Sequence, residues 1–191
     1  MQSISVLTIS GEQENDKDMV KIVEVARGYF PTQTWEDIGY IGKLSFEHDF
    51  KVATSRESYG AFHFQKLVSR LRRVRDSKKL VSLLLGITAD PMVAVYHFFD
   101  RTNFKRAFYL VHDYVDEKVG VVSLFQVNEG SSSRLVAHGL GHNRGLRHHV
   151  KPIDLMYSEL LNSLTLQVDG FCEACLRKLA KDERDACNCR Q

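Results

Sequence analysis

The chain has 191 residues, 43% hydrophobic and 26% charged, the profile of a globular domain rather than of a disordered or collagen-like chain. With 26 Lys and Arg against 24 Asp and Glu the net charge is +2, too even a balance to argue for nucleic acid. No stretch reaches the roughly 18 consecutive apolar residues of a membrane helix, and residues 1–10, with no basic start and a charged run behind them, do not read as a signal peptide.

In chain order, the β-branched run at 4–9 predicts a strand. Residues 16–29 place Met19, Val20, Val23 and Ala26 at helical spacing. Extended segments are expected at 32–41 and 44–52, then a second helix at 64–74 with Leu67, Val68, Leu71 and Val74 on one face. Residues 80–87 are almost continuously apolar, as in a strand buried on both faces. Residues 93–99 read as a strand or as loop after Pro91, and strands follow at 107–111 and 119–127. The serines at 131–133 are expected to open a third helix, a hydroxyl there accepting from its free N–H groups. Beyond Pro152 come a loop, a helix near 158–166 and a cysteine-bearing tail. The pattern is that of one mixed α/β (α+β) domain over 1–191, with sheet and helices to residue 143 and a smaller part over 144–191.

The basic run Arg70, Arg72, Arg73, Arg75, Lys78 and Lys79 flanks the apolar stripe of the second helix. It reads as a solvated helix face, because no aromatic platform or further basic cluster joins it.

Four of the eight histidines fall between His138 and His149, and all four cysteines follow residue 170. In an intracellular-looking chain that usage points to metal rather than to disulfides. His138 and His142, at i and i+4, share one helix face a turn apart. Gly145 lets the backbone leave the helix in a left-handed conformation, and His148 can then return toward the same ion. Three neutral imidazoles leave a fourth position open on zinc, the arrangement of a catalytic rather than a structural site.

The run H-G-L-G-H-N-R-G-L-R-H, residues 138–148, matches the metzincin zinc motif, whose usual form has Glu after the first histidine. Together with SRESYGAFHFQKL (55–67), LLGITADP (84–91), VVSL (121–124), the methionine at 156 and FCEAC (171–175), the chain resembles the archaemetzincins over most of its length. That resemblance implies a zincin-like twisted mixed sheet, a long zinc helix, a methionine turn and a small zinc-stapled C-terminal subdomain. It also implies that His138, His142 and His148 are zinc ligands and that Met156 is the turn methionine, a soft side chain beneath the site.

The sequence departs from the family in two places. Gly139 stands where the family carries its general-base glutamate, so no catalytic residue of the motif is intact. Loss of a positioned acid/base is typically worth about 10²–10⁴ in rate. A glutamate introduced at 139 is expected to face an open, watery cleft and to raise activity. The second departure concerns a structural zinc. The family places cysteines where this chain has His149 and Asp154, while Cys172 and Cys175 are intact and the tail adds Cys187 and Cys189. The ligands implied are Cys172, Cys175, Cys187 and His149, with Cys189 and Asp154 as alternates.

The expectation is therefore an archaemetzincin-like, two-zinc metallopeptidase scaffold with weak or absent peptide hydrolysis. The alternative is a non-catalytic, zinc-dependent peptide-binding module. Expected partners are a peptide or protein, with no nucleic acid and no membrane, for a cytoplasmic monomer.

Overall fold

The structure is a computed structural model describing residues 2–10, 16–53, 57–100, 103–150, 152–158, 160 and 168–188. Its strands are β1 (Gln2–Ser10), β2 (Trp35–Ser45), β3 (Phe50–Ala53), β4 (Ser58–His63), β5 (Leu83–Thr88), β6 (Met92–Asp100), β7 (Asn103–Val111), β8 (Asp113–Val115) and β9 (Val119–Ser123). Its helices are α1 (Asp16–Arg27), α2 (Phe64–Ser77), α3 (Glu129–Asn143) and α4 (Glu173–Asn188). None is long and apolar enough to cross a membrane among the described residues.

Five strands form a mixed sheet in the order β2-β1-β5-β9-β8. The first four are mutually parallel, and β8 closes one edge antiparallel to β9, with Asp113 opposite Val122 and Val115 opposite Gly120. Helices cover both faces. On one, Ile4 and Val6 of β1 and Leu83, Leu85 and Ile87 of β5 pack with Val23 of α1 and Leu135, Val136 and Leu140 of α3. On the other, Leu7, Ile9 and Leu84 pack with Leu67, Val68 and Leu71 of α2. Burial on both faces is why β5 reads as an unbroken apolar run: each of its six residues is buried.

The mixed sheet expected from the sequence is joined by a second one, in the order β3-β4-β6-β7. It hangs on a short parallel contact of β4 with β6, Phe62 opposite Met92 and His63 opposite Val93. From there β6 and β7 run out as an antiparallel ladder from Met92↔Val111 to Asp100↔Asn103, so 93–99 is strand and not loop. Tyr96, Phe98, Phe99, Phe104, Phe108 and Tyr109 stay exposed along it.

Three other expectations shift. The extended segment at 44–52 is two pieces, since β2 ends at Ser45 and β3 starts at Phe50. The strand at 119–127 stops at Ser123, because the chain turns at Phe125 and Gln126, with Gln126 at φ 58. The serines do not cap α3: Asn128 is its N-cap, without a side-chain cap bond. Ser131 and Ser132 lie inside the first turn, where the Ser131 N–H and the Ser132 hydroxyl both donate to the Asn128 carbonyl at 3.0 and 3.1 Å. Most of the helix expected at 158–166 lies outside the described residues.

Candidate metal centre

Helix α3 is buried along most of its length, from Ser131 to Gly141, as a helix wrapped by sheet, α1 and the C-terminal segment must be. Its end carries a double cap. The Gly145 N–H donates to the His142 carbonyl at 2.9 Å and the Leu146 N–H to the Gly141 carbonyl at 2.9 Å, with Gly145 at φ 74. This pair of bonds is the Schellman arrangement, and the left-handed residue between them favours glycine. The turn sends the chain back so that His148 faces the helix it has just left.

The result is a triangle of imidazoles. The Nε2 atoms of His138 and His142 are 3.2 Å apart, those of His142 and His148 3.0 Å, and those of His148 and His138 3.2 Å. Three nitrogens on a tetrahedral zinc, each at roughly 2.0–2.1 Å, lie about 3.3 Å from one another. The remaining ring nitrogens set the tautomers. His138 Nδ1 donates to the Leu155 carbonyl at 2.5 Å and His142 Nδ1 to the Leu146 carbonyl at 3.2 Å. A carbonyl only accepts, so both protons are on Nδ1 and both Nε2 atoms present lone pairs. Two lone pairs at 3.2 Å repel unless a cation stands between them, and the donor set fits zinc. Burial, first of all, lowers the pKa of each of the three histidines, which favours the neutral, metal-ready form. His138 is buried, His142 half-buried and His148 exposed, so the site opens to solvent on the side of His148.

Met156 is fully buried and packs where α3 has no side chain: a Cβ on Gly141 would stand 2.9 Å from its Sδ. The turn that holds it is built by Asp154, also fully buried. One oxygen of Asp154 accepts the Met156 N–H at 2.8 Å and the other the Cys172 N–H at 2.8 Å.

A second group forms beside this turn. His149, Asp154, Cys172 and Cys175 each offer a ligand atom within 4.8 Å of the others. His149 Nε2 and Asp154 Oδ1 are 2.6 Å apart, yet neither ring nitrogen of His149 makes a hydrogen bond, the posture of two donors aimed at a common third atom. Burial pushes the Cys175 thiol up to about 12, and the Asp154 carboxylate beside it adds to the effect. A cation is what would release that proton. Of the ligands expected from the sequence, Cys172, Cys175, His149 and the alternate Asp154 come together. The Cys187 side chain, also expected in this group, lies outside what the structure describes. Cys189 lies outside the described residues.

Gly139 does not open onto a watery cleft. It is buried, and a Cβ there would meet Val115 Cγ2 at 3.0 Å and Asp113 Oδ2 at 3.1 Å. Strand β8 therefore covers this point of α3 and fills it with a carboxylate. The Asp113 side chain is 7% exposed, and its Oδ2 is buried without a hydrogen-bond partner, 4.0 Å from His138 Nε2. Sequence reading missed this residue because 113–115 is too short a strand to declare itself. The available signal was alternation, with Asp113 and Val115 on one face and Tyr114 on the other.

Burial pushes the Asp113 carboxyl up to about 6, against the opposing pull of His142 and His148. A value raised on folding means stability that is present below the unfolded value of 3.8 and lost as pH rises through about 6. In metal-free protein, Asp113→Asn is thus expected to exceed wild type in stability at about pH 8 by up to roughly 3 kcal/mol, and to match it near about pH 3. Denaturant midpoints in chelator measure the difference. Equal midpoints at the higher pH would show that the carboxylate is not an unpaired buried charge.

No protein-family profile and no curated protein matches this sequence. Among solved structures, the fold is that of the archaemetzincins. It is similar to archaemetzincin from Methanopyrus kandleri at TM-score 0.63 and 15% identity, over 96% of each chain. A zinc-dependent peptidase from Methanocorpusculum labreanum is similar at TM-score 0.58 and 16% identity, over 92% of this chain and 99% of that one. Archaemetzincin from Archaeoglobus fulgidus follows at 0.54 and 14%, with the same coverage.

Proposed function

We propose that this chain is a two-zinc protein of metallopeptidase type that works on peptides at His138, His142 and His148. The observation that carries the reading is the convergence of three Nε2 atoms at 3.0–3.2 Å with two of the rings locked in the metal-ready tautomer. Zinc held there supplies a Lewis acid that polarises a peptide carbonyl and makes nearby water more acidic. The histidines bind and orient; the solvent-open side of His148 admits the peptide. Gly139 brings no carboxylate, so α3 by itself supports only weak hydrolysis. His149, Asp154, Cys172 and Cys175 hold a second, structural zinc that ties the methionine turn to α4, and four protein ligands close that site to substrate.

Elemental analysis of the purified protein should give two zinc ions per chain and His142→Ala one. An unchanged zinc content in His142→Ala sinks the three-histidine site. Zinc-loaded protein is then offered a fluorescent peptide library and followed for binding and for cleavage. Zinc-dependent binding without any cleavage would make the non-catalytic module the function, and neither would overturn the peptide reading.

A further inference from the structure

We infer that Asp113, on the edge strand β8, supplies the carboxylate that the zinc helix lacks, acting as the proton acceptor and donor for peptide hydrolysis at the three-histidine site. The inference rests on the zinc-peptidase reading above and adds to it the source of the acid/base group.

Three independent observations converge on this residue. The first is place: the nearest polar atom that a side chain on Gly139 would meet is Asp113 Oδ2, 3.1 Å from the Cβ position. A carboxylate thus stands next to the first zinc ligand, brought from the facing strand instead of from the helix. The second is saturation. Buried carboxylate oxygens are nearly always hydrogen-bonded, because leaving one bare in the interior is costly. Asp113 Oδ2 has no partner, although its side chain is only 7% exposed. An oxygen kept bare beside a metal site is one that a water or a ligand completes. The third is distance. At 4.0 Å from His138 Nε2, Oδ2 stands outside the spacing of about 3.3 Å expected between ligands on one tetrahedral zinc. It is placed beside the three imidazoles, where it would meet a molecule bound there rather than join the ligand set.

The local fold holds the group in position. Pairing of Asp113 with Val122 and of Val115 with Gly120 fixes the register of β8 on β9. That register points residues 113 and 115 toward α3, where Val115 packs into the same core as Val136 and Leu140. Glycine at 139 is the counterpart of this arrangement, since a larger residue would take the space the carboxylate uses.

In the reaction, a water between the imidazoles and Asp113 gives a proton to Oδ2 while its oxygen adds to the peptide carbonyl carbon. The same proton then passes to the amide nitrogen as the C–N bond breaks, leaving one carboxyl group and one amine. No redox partner or further reactant is needed.

The test compares zinc-loaded wild type with Asp113→Asn at equal zinc content, using two small zinc ligands and a peptide substrate. Acetohydroxamic acid carries protons that a neighbouring carboxylate accepts; azide carries none. Asp113→Asn should bind acetohydroxamic acid roughly tenfold or more weakly and azide no more weakly, and should cleave peptide about 10²–10⁴-fold more slowly. Asp113→Ser serves as a second variant with the same expected outcome if the amide disturbs the fold. Unchanged hydroxamate affinity and cleavage in the variants overturn the assignment while leaving the zinc site standing. Zinc-loaded wild type that cleaves no peptide overturns the proton-transfer role. A wild type that takes up no zinc at the three histidines removes the zinc-peptidase reading, and this one with it.

Discussion

Gly139→Glu is expected to lose stability rather than to gain activity. The first atom it adds already meets Val115 Cγ2 at 3.0 Å and Asp113 Oδ2 at 3.1 Å, contacts that make those two side chains of β8 yield by a few tenths of an ångström. Overpacking of this kind typically costs about 1–3 kcal/mol. The remainder of the side chain would set a second carboxylate against a buried one that has no hydrogen-bond partner on Oδ2. Crowding and like-charge repulsion together place the loss at roughly 3 kcal/mol or more, which lowers the melting temperature of a chain this size by about 10 °C. Gly139→Ala separates the terms: it meets the same atoms, brings no charge and recovers about 1 kcal/mol of helix propensity, so it should fall near wild type. Asp113→Ser in the Gly139→Glu background should return part of the stability and place the lone carboxylate on the helix. Thermal unfolding of zinc-loaded variants decides the matter. A Gly139→Glu protein as stable as wild type would mean that β8 does not press on α3.

The second large effect belongs to Asp154→Ala. This carboxylate is fully buried and accepts two backbone N–H groups, those of Met156 and Cys172, each at 2.8 Å. Burial works to raise its pKa, but the Cys172 thiol and these N–H groups outweigh it and hold the value low. Alanine leaves both N–H groups without this acceptor, at about 1–3 kcal/mol apiece. The damage reaches the metal. Leu155, whose carbonyl orients His138, sits between Asp154 and Met156 in the chain, and loss of such supporting contacts typically weakens metal binding about 10–100-fold. Hydrogen exchange at the Met156 and Cys172 amides should accelerate together, and zinc should pass more readily to a competing chelator. Exchange rates equal to wild type at both amides would show that the turn holds without the carboxylate.

The sequence made the helical face of His138 and His142, the return at Gly145 and the buried β5 legible, because each follows from local spacing or from backbone freedom at one residue. The second sheet was not legible as such. Its strands are short or aromatic on exposed faces, and its attachment is a two-pair contact between residues 30 apart in the chain. Asp113 stayed hidden for a different reason. Gly139 declares the absence of a carboxylate within the motif, whereas its replacement comes from a strand 26 positions earlier that only tertiary packing brings to the helix.

His148 belongs to the three-histidine group and His149 to the cysteine group, so one peptide bond is common to both. The N–H of that bond, from His149, donates to the Met156 carbonyl at 3.0 Å, so a shift of the peptide toward one group is felt at the other. Under the two-zinc reading, ordering this peptide for one ion lessens the entropy lost in binding the other, and the linkage is reciprocal. Zinc uptake then becomes cooperative. When zinc is scarce, the population divides into molecules carrying both ions and molecules carrying neither, and half-filled intermediates stay rare.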